Sequence, residues 1–312
     1  MISFRYHLLT IVAIFLAIAL GIVMGVTFIQ DPLLGQLRSQ TDDLRRDSAA
    51  LRSDVRRLQA EKEARDAFAE QVFPWVASGR LTGTEVLVVT QDGTSANDVG
   101  AVRSALDRAG ARVQTELAVT SRLARDDPGS MRELADALGV DPTGPLKLST
   151  LQGRAANELA LRIADGPSTP GSDLLAALLD RGFLSARHPT VGRKDVAQVG
   201  GPGTVTVVVA GGTARPMIEP SALLVPMLRT MVSAGVRVAG TEGTDSSYPF
   251  VALVSDDGDL SDRVTTVAGV DQPMGAVALV LALGDLVDGG PVGHYGQGDR
   301  LLPTPSPAPT GP

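Results

Sequence analysis

The chain has 312 residues, 44% of them hydrophobic, a formal net charge of −7 and no cysteine. The acidic balance leaves no basic footprint for phosphates, so no nucleic-acid partner is expected. Without cysteine there are no disulfides, thiolate metal sites or cysteine nucleophiles, while the length suffices for an anchor plus one or two ordinary domains.

Residues 1–7 form a short stub with Arg5 and His7, followed over 8–29 by the uncharged run LLTIVAIFLAIALGIVMGVTFI. As a helix this run is about 33 Å long, enough to cross a hydrocarbon core of about 30 Å. It is too long for the core of a cleaved signal peptide and lacks the polar face of a soluble helix, so an uncleaved single-pass membrane anchor is expected. Arg5 and His7 before it and Asp31 after it favour a cytoplasmic stub and an extracytoplasmic remainder. Arg38, Arg45 and Arg46 weigh the other way in a plain count, but long domains translocate largely regardless of charge. Ala17, Gly21 and Gly25 recur every four residues, a spacing that lets a second membrane helix approach closely, although small residues are also common in such helices.

Over 30–74 the leucines Leu37, Leu44, Leu51 and Leu58 are spaced by seven, with Leu34 and Val55 at the alternate heptad position. Asp47 and the following Arg52 fall where a parallel pair of helices exchanges charges, which predicts a coiled-coil stalk ended by Pro74 and a parallel homodimer. Thr41, Ser48 and Lys62 would weaken that seam, and a single amphipathic helix lying on its own domain is the alternative.

From 75 to 298 short apolar runs alternate with helical stretches: strands over 86–89, 111–117, 205–209 and 236–239, and helices over 95–109 and 220–234. Further strands are expected over 250–254 and 276–283, and an irregular helical segment punctuated by prolines over 131–182. The predicted fold is α/β, a doubly wound, mostly parallel sheet with a helical insertion. Residues 299–312, rich in proline, are expected to form an extended, mobile tail.

Neither a phosphate-binding loop nor a nucleophile elbow occurs; Gly200, Gly201 and Gly203 precede their strand, where a phosphate loop would be useless. Ligands of open α/β sheets bind beyond the carboxyl ends of the strands. Asp92, Gly211, Gly212, Glu242 and Asp285 follow the expected strands and make a candidate pocket, its carboxylates suited to a cation or to sugar hydroxyls; ordinary turn residues are the alternative. Copper needs thioether or imidazole ligands here, and the candidates are Met217, Met227, Met231, His188 and His294. Met227 and Met231 share a helix face, but Leu223, Leu224 and Leu228 in the same helix point to core packing. His294 lies in a glycine-dense stretch that equally suits a packed loop.

The opening MISFRYHLLTIVAIFLAIALGIVMG, the leucine-spaced helix, the α/β pattern and the closing AVALVLALGDLVDGGPVGHYGQG together resemble the actinobacterial family named after the mycobacterial copper transport protein MctB, from Met1 to about Gly298. The resemblance implies a cell-envelope protein of copper efflux or homeostasis, described in mycobacteria as channel-like, with copper the one metal implied and no metal-binding motif to carry over. It also brings in a corynebacterial relative, SteB, a membrane-anchored partner of SteA in cell separation and control of cell-wall hydrolases, and so a dimeric scaffold that binds a cell-envelope or cell-division protein and no metal. A chain with one span and no cysteine suits the scaffold more easily than a channel, and an enzyme is not expected, the one catalytic alternative being an envelope-glycan enzyme working through Asp92, Glu242 or Asp285.

Overall fold

The computed structural model describes residues 4–141, 144–169, 173–296 and 301–303, with side chains apart from those at 4–5, 26–39 and 193. Two compact units divide at residues 64 and 65. Helix α1, Phe4–Val76, begins in the first unit and ends in the second.

In the first unit α1 is the only element described, and its described side chains are all exposed. Its apolar window Tyr6–Gly25 is long enough to cross a membrane and none of it is buried. Beyond it, Asp42 pairs with Arg45, Asp43 with Arg46, and Arg57 with both Asp54 and Glu61, three or four residues apart on the helix surface. Such pairs add about 0.2–0.5 kcal/mol each to the helix.

The second unit takes in the end of α1, where Ala69 and Phe73 are buried. The helix therefore runs two residues past Pro74, which was expected to end it. The bond from Ala77 N to Phe73 O, 2.9 Å, continues the turn, and the burial of Phe73 outweighs the one donor that proline lacks.

The chain then alternates β1 Glu85–Gln91, α2 Ala96–Arg108 and β2 Arg112–Val119. An excursion follows through α3 Pro128–Ala137, α4 Leu148–Asp165, α5 Leu174–Asp180, β3 Leu184–Arg187 and α6 Arg193–Val196. The rhythm resumes with β4 Val205–Val209, α7 Leu224–Ser233, β5 Arg237–Glu242, α8 Val251–Ser255, β6 Thr265–Ala268, α9 Pro273–Val287 and β7 His294–Tyr295. The sheet order is β3-β2-β1-β4-β5-β6-β7, parallel throughout except for β3, which runs antiparallel to β2.

The central strands are buried on both faces, as parallel strands under two helical layers must be. Alternate residues divide between two cores: Val86, Val88, Val205 and Val207 meet the end of α1, α2 and α9, while Leu87, Val89 and Val208 meet α3, α4, α5 and α7. The expected α/β fold with a helical insertion is therefore present.

Two expected strands are helices instead. Residues 276–283 lie within α9, apolar on every side because it is buried, and a continuous apolar run has no period that separates a strand from a buried helix. Residues 251–254 belong to α8, whose first N–H groups are held by the Glu242 carboxylate. The strands that fill those places in the sheet, β6 and β7, were not expected, nor was β3. Of the proline-rich tail only 301–303 is described, with Pro303 buried; the remainder lies outside the described residues.

Candidate functional site

The strand order reverses at β1, which is flanked by β2 on one side and β4 on the other, so the crevice beyond the carboxyl ends of β1 and β4 is where such a sheet takes ligands. After β1 the chain turns through Asp92 and Gly93, the latter at φ 98°. Asp92 Oδ2 accepts from Ser121 N at 2.7 Å and ties the β1 turn to the loop after β2. Ser95 then caps α2, its Oγ accepting from Asp98 N at 3.3 Å.

Gly211 and Gly212 follow β4 and face this turn. Gly211 O accepts from Ser95 N at 3.3 Å, and a Cβ on Gly212 would lie 2.7 Å from Gly93 O. Gly212 is thus needed for two backbones to meet at the switch point, and Gly211, at φ 95°, for the turn that leads into it.

Two acids are buried just below. Asp98 accepts from Ser95 Oγ at 3.0 Å and from Gly243 N at 3.0 Å; a Cβ on Gly243 would fall 2.4 Å from its carboxylate oxygens. Glu242 accepts from Phe250 N and Val251 N and so caps α8. Burial pushes Asp98 above the usual carboxylate range, with the charges of Asp271 and Asp245 adding to it. Burial likewise raises Glu242, and the Asp98 charge raises it further. Asp271 goes the other way: burial would raise it, but hydrogen bonds from Gln272 and from the Thr244 amide and hydroxyl prevail and hold it low. Above them opens a depression of about 320 Å³ lined by Asp98, Asp245 and Asp271 together with Gly93 and Gly212.

A raised carboxyl costs stability as it ionises, so the Glu242 contribution is fully favourable below its ordinary value and is lost as pH rises through the raised folded value. Glu242→Gln retains an oxygen for the α8 amides and removes the charge. Its melting temperature relative to the parent is expected to climb as pH rises from the ordinary carboxylate range through the raised folded value, and then to level off. A constant deficit across that range would show that the charge itself holds α8.

The other expected site residues are placed apart. Asp285 lies on α9, not at a strand end, and pairs with Arg80 at 3.2 Å just before β1, at the opposite edge of the sheet from Asp92 and Glu242. It does not join the pocket, because reading α9 as a strand had reversed its direction. Met227 and Met231 are buried on α7 in the core under one sheet face, whereas His294 sits on the edge strand β7 with Nδ1 2.7 Å from Thr266 Oγ1. The structure does not bring these three together, and among the described residues no group of three or more His, Asp or Glu is arranged to hold a metal ion. Met217 is exposed, and His188 lies at the end of β3. In the first unit nothing lies within 4 Å of a Cβ placed on Gly21 or Gly25, and Ala17, Leu44, Leu51 and Leu58 are exposed; the Leu37 side chain lies outside the described residues. Sequence reasoning passed over Asp98, Asp245 and Asp271, although Ser95 followed three residues later by an acid is a helix-start signature.

The family model described as "Copper transport outer membrane protein, MctB" matches residues 1–303. The chain belongs to the MctB family. It is 30% identical to the protein named copper transporter MctB of Mycobacterium tuberculosis over 317 residues, 97% of this chain and 98% of that protein. The copper transporter MctB of Mycobacterium leprae is also 30% identical, over 96% of this chain and 97% of its own length. The MctB match takes in the apolar helix, the heptad segment and the α/β unit alike, and ends at Pro303, the last residue whose burial is described. Together with the apolar helix it makes the chain a membrane-associated protein of the copper transport family.

Proposed function

We propose that this MctB-family chain is a single-pass protein of the cell envelope that serves copper efflux or homeostasis as a parallel dimer, with residues 1–7 in the cytoplasm and the α/β unit outside it. What carries the reading is the end-to-end likeness to proteins named copper transporters, which leaves neither the anchor nor the α/β unit unmatched. Copper is cargo here. From Leu8 to Val23 the only polar side chain is Thr10, whose Oγ1 already bonds Tyr6 O at 2.8 Å. One such helix offers copper a single soft ligand, the Met24 thioether close to its far end, so transport needs further copies or a further protein.

Self-association has support in two places. Ala17, Gly21 and Gly25 leave a smooth face on the apolar helix, and Leu44, Leu51, Val55 and Leu58 leave an apolar seam exposed on the segment that follows. Because each copy contributes one anchor, both seams run in the same direction. Gly21→Ile with Gly25→Ile and Leu51→Lys is expected to turn a dimer into a monomer in detergent, read by light scattering, with the far-UV spectrum of the α/β unit unchanged. A parent chain that is already monomeric at micromolar concentration would sink the dimer.

The chain is proposed to be no enzyme: the buried acids at the carboxyl edge are occupied in capping helices and holding glycine amides. The deciding experiment is deletion of the gene followed by growth on graded copper, together with copper analysis of the purified full chain. Heightened copper sensitivity, restored by the intact chain, supports the reading. Normal copper tolerance with unseparated cells would overturn it in favour of a cell-wall scaffold.

A further inference from the structure

A second cleft, of about 310 Å³, opens beside the candidate site, between the first half of α2 and strands β1, β2 and β3. Strand alternation decides what faces it. Leu117 and Val119 point into the core under the opposite face, so Glu116 and Ala118 point toward α2. The wall from α2 is made by Val99, Gly100 and Arg103, one helical turn apart, and nothing lies within 4 Å of a Cβ placed on Gly100. Directly opposite Glu116 in the antiparallel ladder stands Arg187.

The charges in this cleft are not used up. Glu116 is 6% exposed, yet its carboxylate forms no hydrogen bond or ion pair among the described residues. Arg103 and Arg187 line the same cleft and likewise close no pair, either with Glu116 or with any other described acid. The Glu116 carboxylate thus opens only onto the cleft, which it shares with the half-buried Arg103 and the exposed Arg187, three charged groups that line one concavity without pairing and stand ready for a ligand of matching charge. Next to Arg187, His188 is the one described residue other than glycine at positive φ, 46°. Non-glycine residues held there are concentrated at binding sites.

We propose that this cleft binds a free α-amino acid, its carboxylate taken by Arg103 and Arg187 and its ammonium by Glu116. A simple anion would satisfy the arginines but leave Glu116 buried and facing like charge. A simple cation would satisfy Glu116 and leave both guanidinium groups idle. Only a ligand that carries both charges within a few bonds completes all three, and the fork of each guanidinium suits a carboxylate. The volume lies at the small end of ligand cavities, about 300–1,000 Å³, which matches one amino acid with a short side chain resting on Ala118 and Val99. Asp92 at the rim is engaged by Ser121 N and is not needed. The site does not depend on the copper reading.

The test is equilibrium dialysis of the full chain in detergent against labelled L-alanine, with acetate, ethylamine and the dipeptide alanyl-alanine as competitors. Saturable binding of one alanine per chain is expected, weakened at least tenfold by Glu116→Gln and by Arg187→Met or Arg103→Met, each checked for an unchanged far-UV spectrum. Acetate and ethylamine should compete poorly, and the dipeptide, whose charges are a peptide unit further apart, poorly as well. No saturable binding at millimolar alanine would overturn the proposal. So would acetate competing as well as alanine, with Glu116→Gln binding as the parent does, which would reveal a plain anion site.

Discussion

Replacing Arg162 by methionine is expected to lower the stability of the α/β unit by about 3–5 kcal/mol, the cost of breaking a buried ion pair by removing one partner. Arg162 and Asp173 are 8% and 3% exposed, and the guanidinium Nε donates to the Asp173 carboxylate. Its other nitrogens donate to Val199 O at 2.8 Å, Ala197 O at 2.9 Å and Val196 O at 3.4 Å, so one side chain ties α4 to α5 and to the loop before β4. Burial would raise the Asp173 carboxyl, but hydrogen bonds from Ser168, Arg162 and Ala176 N outweigh it and hold it below the usual range. An acid held low contributes stability that is complete above its ordinary value and disappears as pH falls through the folded value. The parent should therefore lose this contribution only in strong acid, and Arg162→Met should be weakened already at neutral pH. Arg162→Met with Asp173→Asn, which keeps an acceptor for Ala176 N at 2.8 Å while removing the stranded charge, should recover part of the loss. Thermal melts followed by far-UV dichroism check all three, and a single variant within about 1 kcal/mol of the parent would show that water reaches the pair and screens it.

That network was invisible beforehand, and the reason is general to the helical insertion. Its prolines announce breaks, but nothing local says that Arg162 will meet Asp173 or the carbonyls of Val196 and Val199, which arrive from two other segments. The β1, α2 and β2 elements were legible because each has its own period: Val86 to Val89 for a strand buried on both faces, Val99, Val102 and Leu106 for one helix face. Helix α9 has no such period, and β6, which opens with Thr265 and Thr266, and β7, only two residues long, carry no strand signal strong enough to displace it. One wrong element then moved one site residue, since Asp285 crosses from one edge of the sheet to the other when its strand becomes a helix. The glycines survived because their backbone geometry is local, whereas Asp98 meets Gly243 across 145 residues. The same holds for Glu116 and Arg187, brought face to face by an antiparallel edge strand that the sequence did not announce.

Placing arginine at both Phe15 and Leu16 is expected to release the chain from the membrane. Eleven Leu, Ile, Val and Phe side chains lie between Tyr6 and Gly25, and all eleven are exposed. At about −0.3 to −0.6 kcal/mol each near the helix centre they favour insertion by roughly 3–7 kcal/mol, and two central arginines cost about 5–7 kcal/mol, enough to cancel it. The parent should remain with the membrane pellet after alkaline extraction and the double variant should move to the supernatant, its α/β unit still giving the parental far-UV spectrum, because no residue of that unit has changed. A variant that stays in the pellet would mean that the chain is held by something other than the apolar helix. The absence of cysteine gives the parallel question of sidedness a clean reporter: Ser78→Cys, exposed just beyond the end of α1, should react with a membrane-impermeant thiol reagent in intact cells if the α/β unit lies outside. Labelling only after lysis would reverse the proposed orientation. It would also put the charge of Arg38, Arg45 and Arg46 above that of the immediate flanks in deciding it.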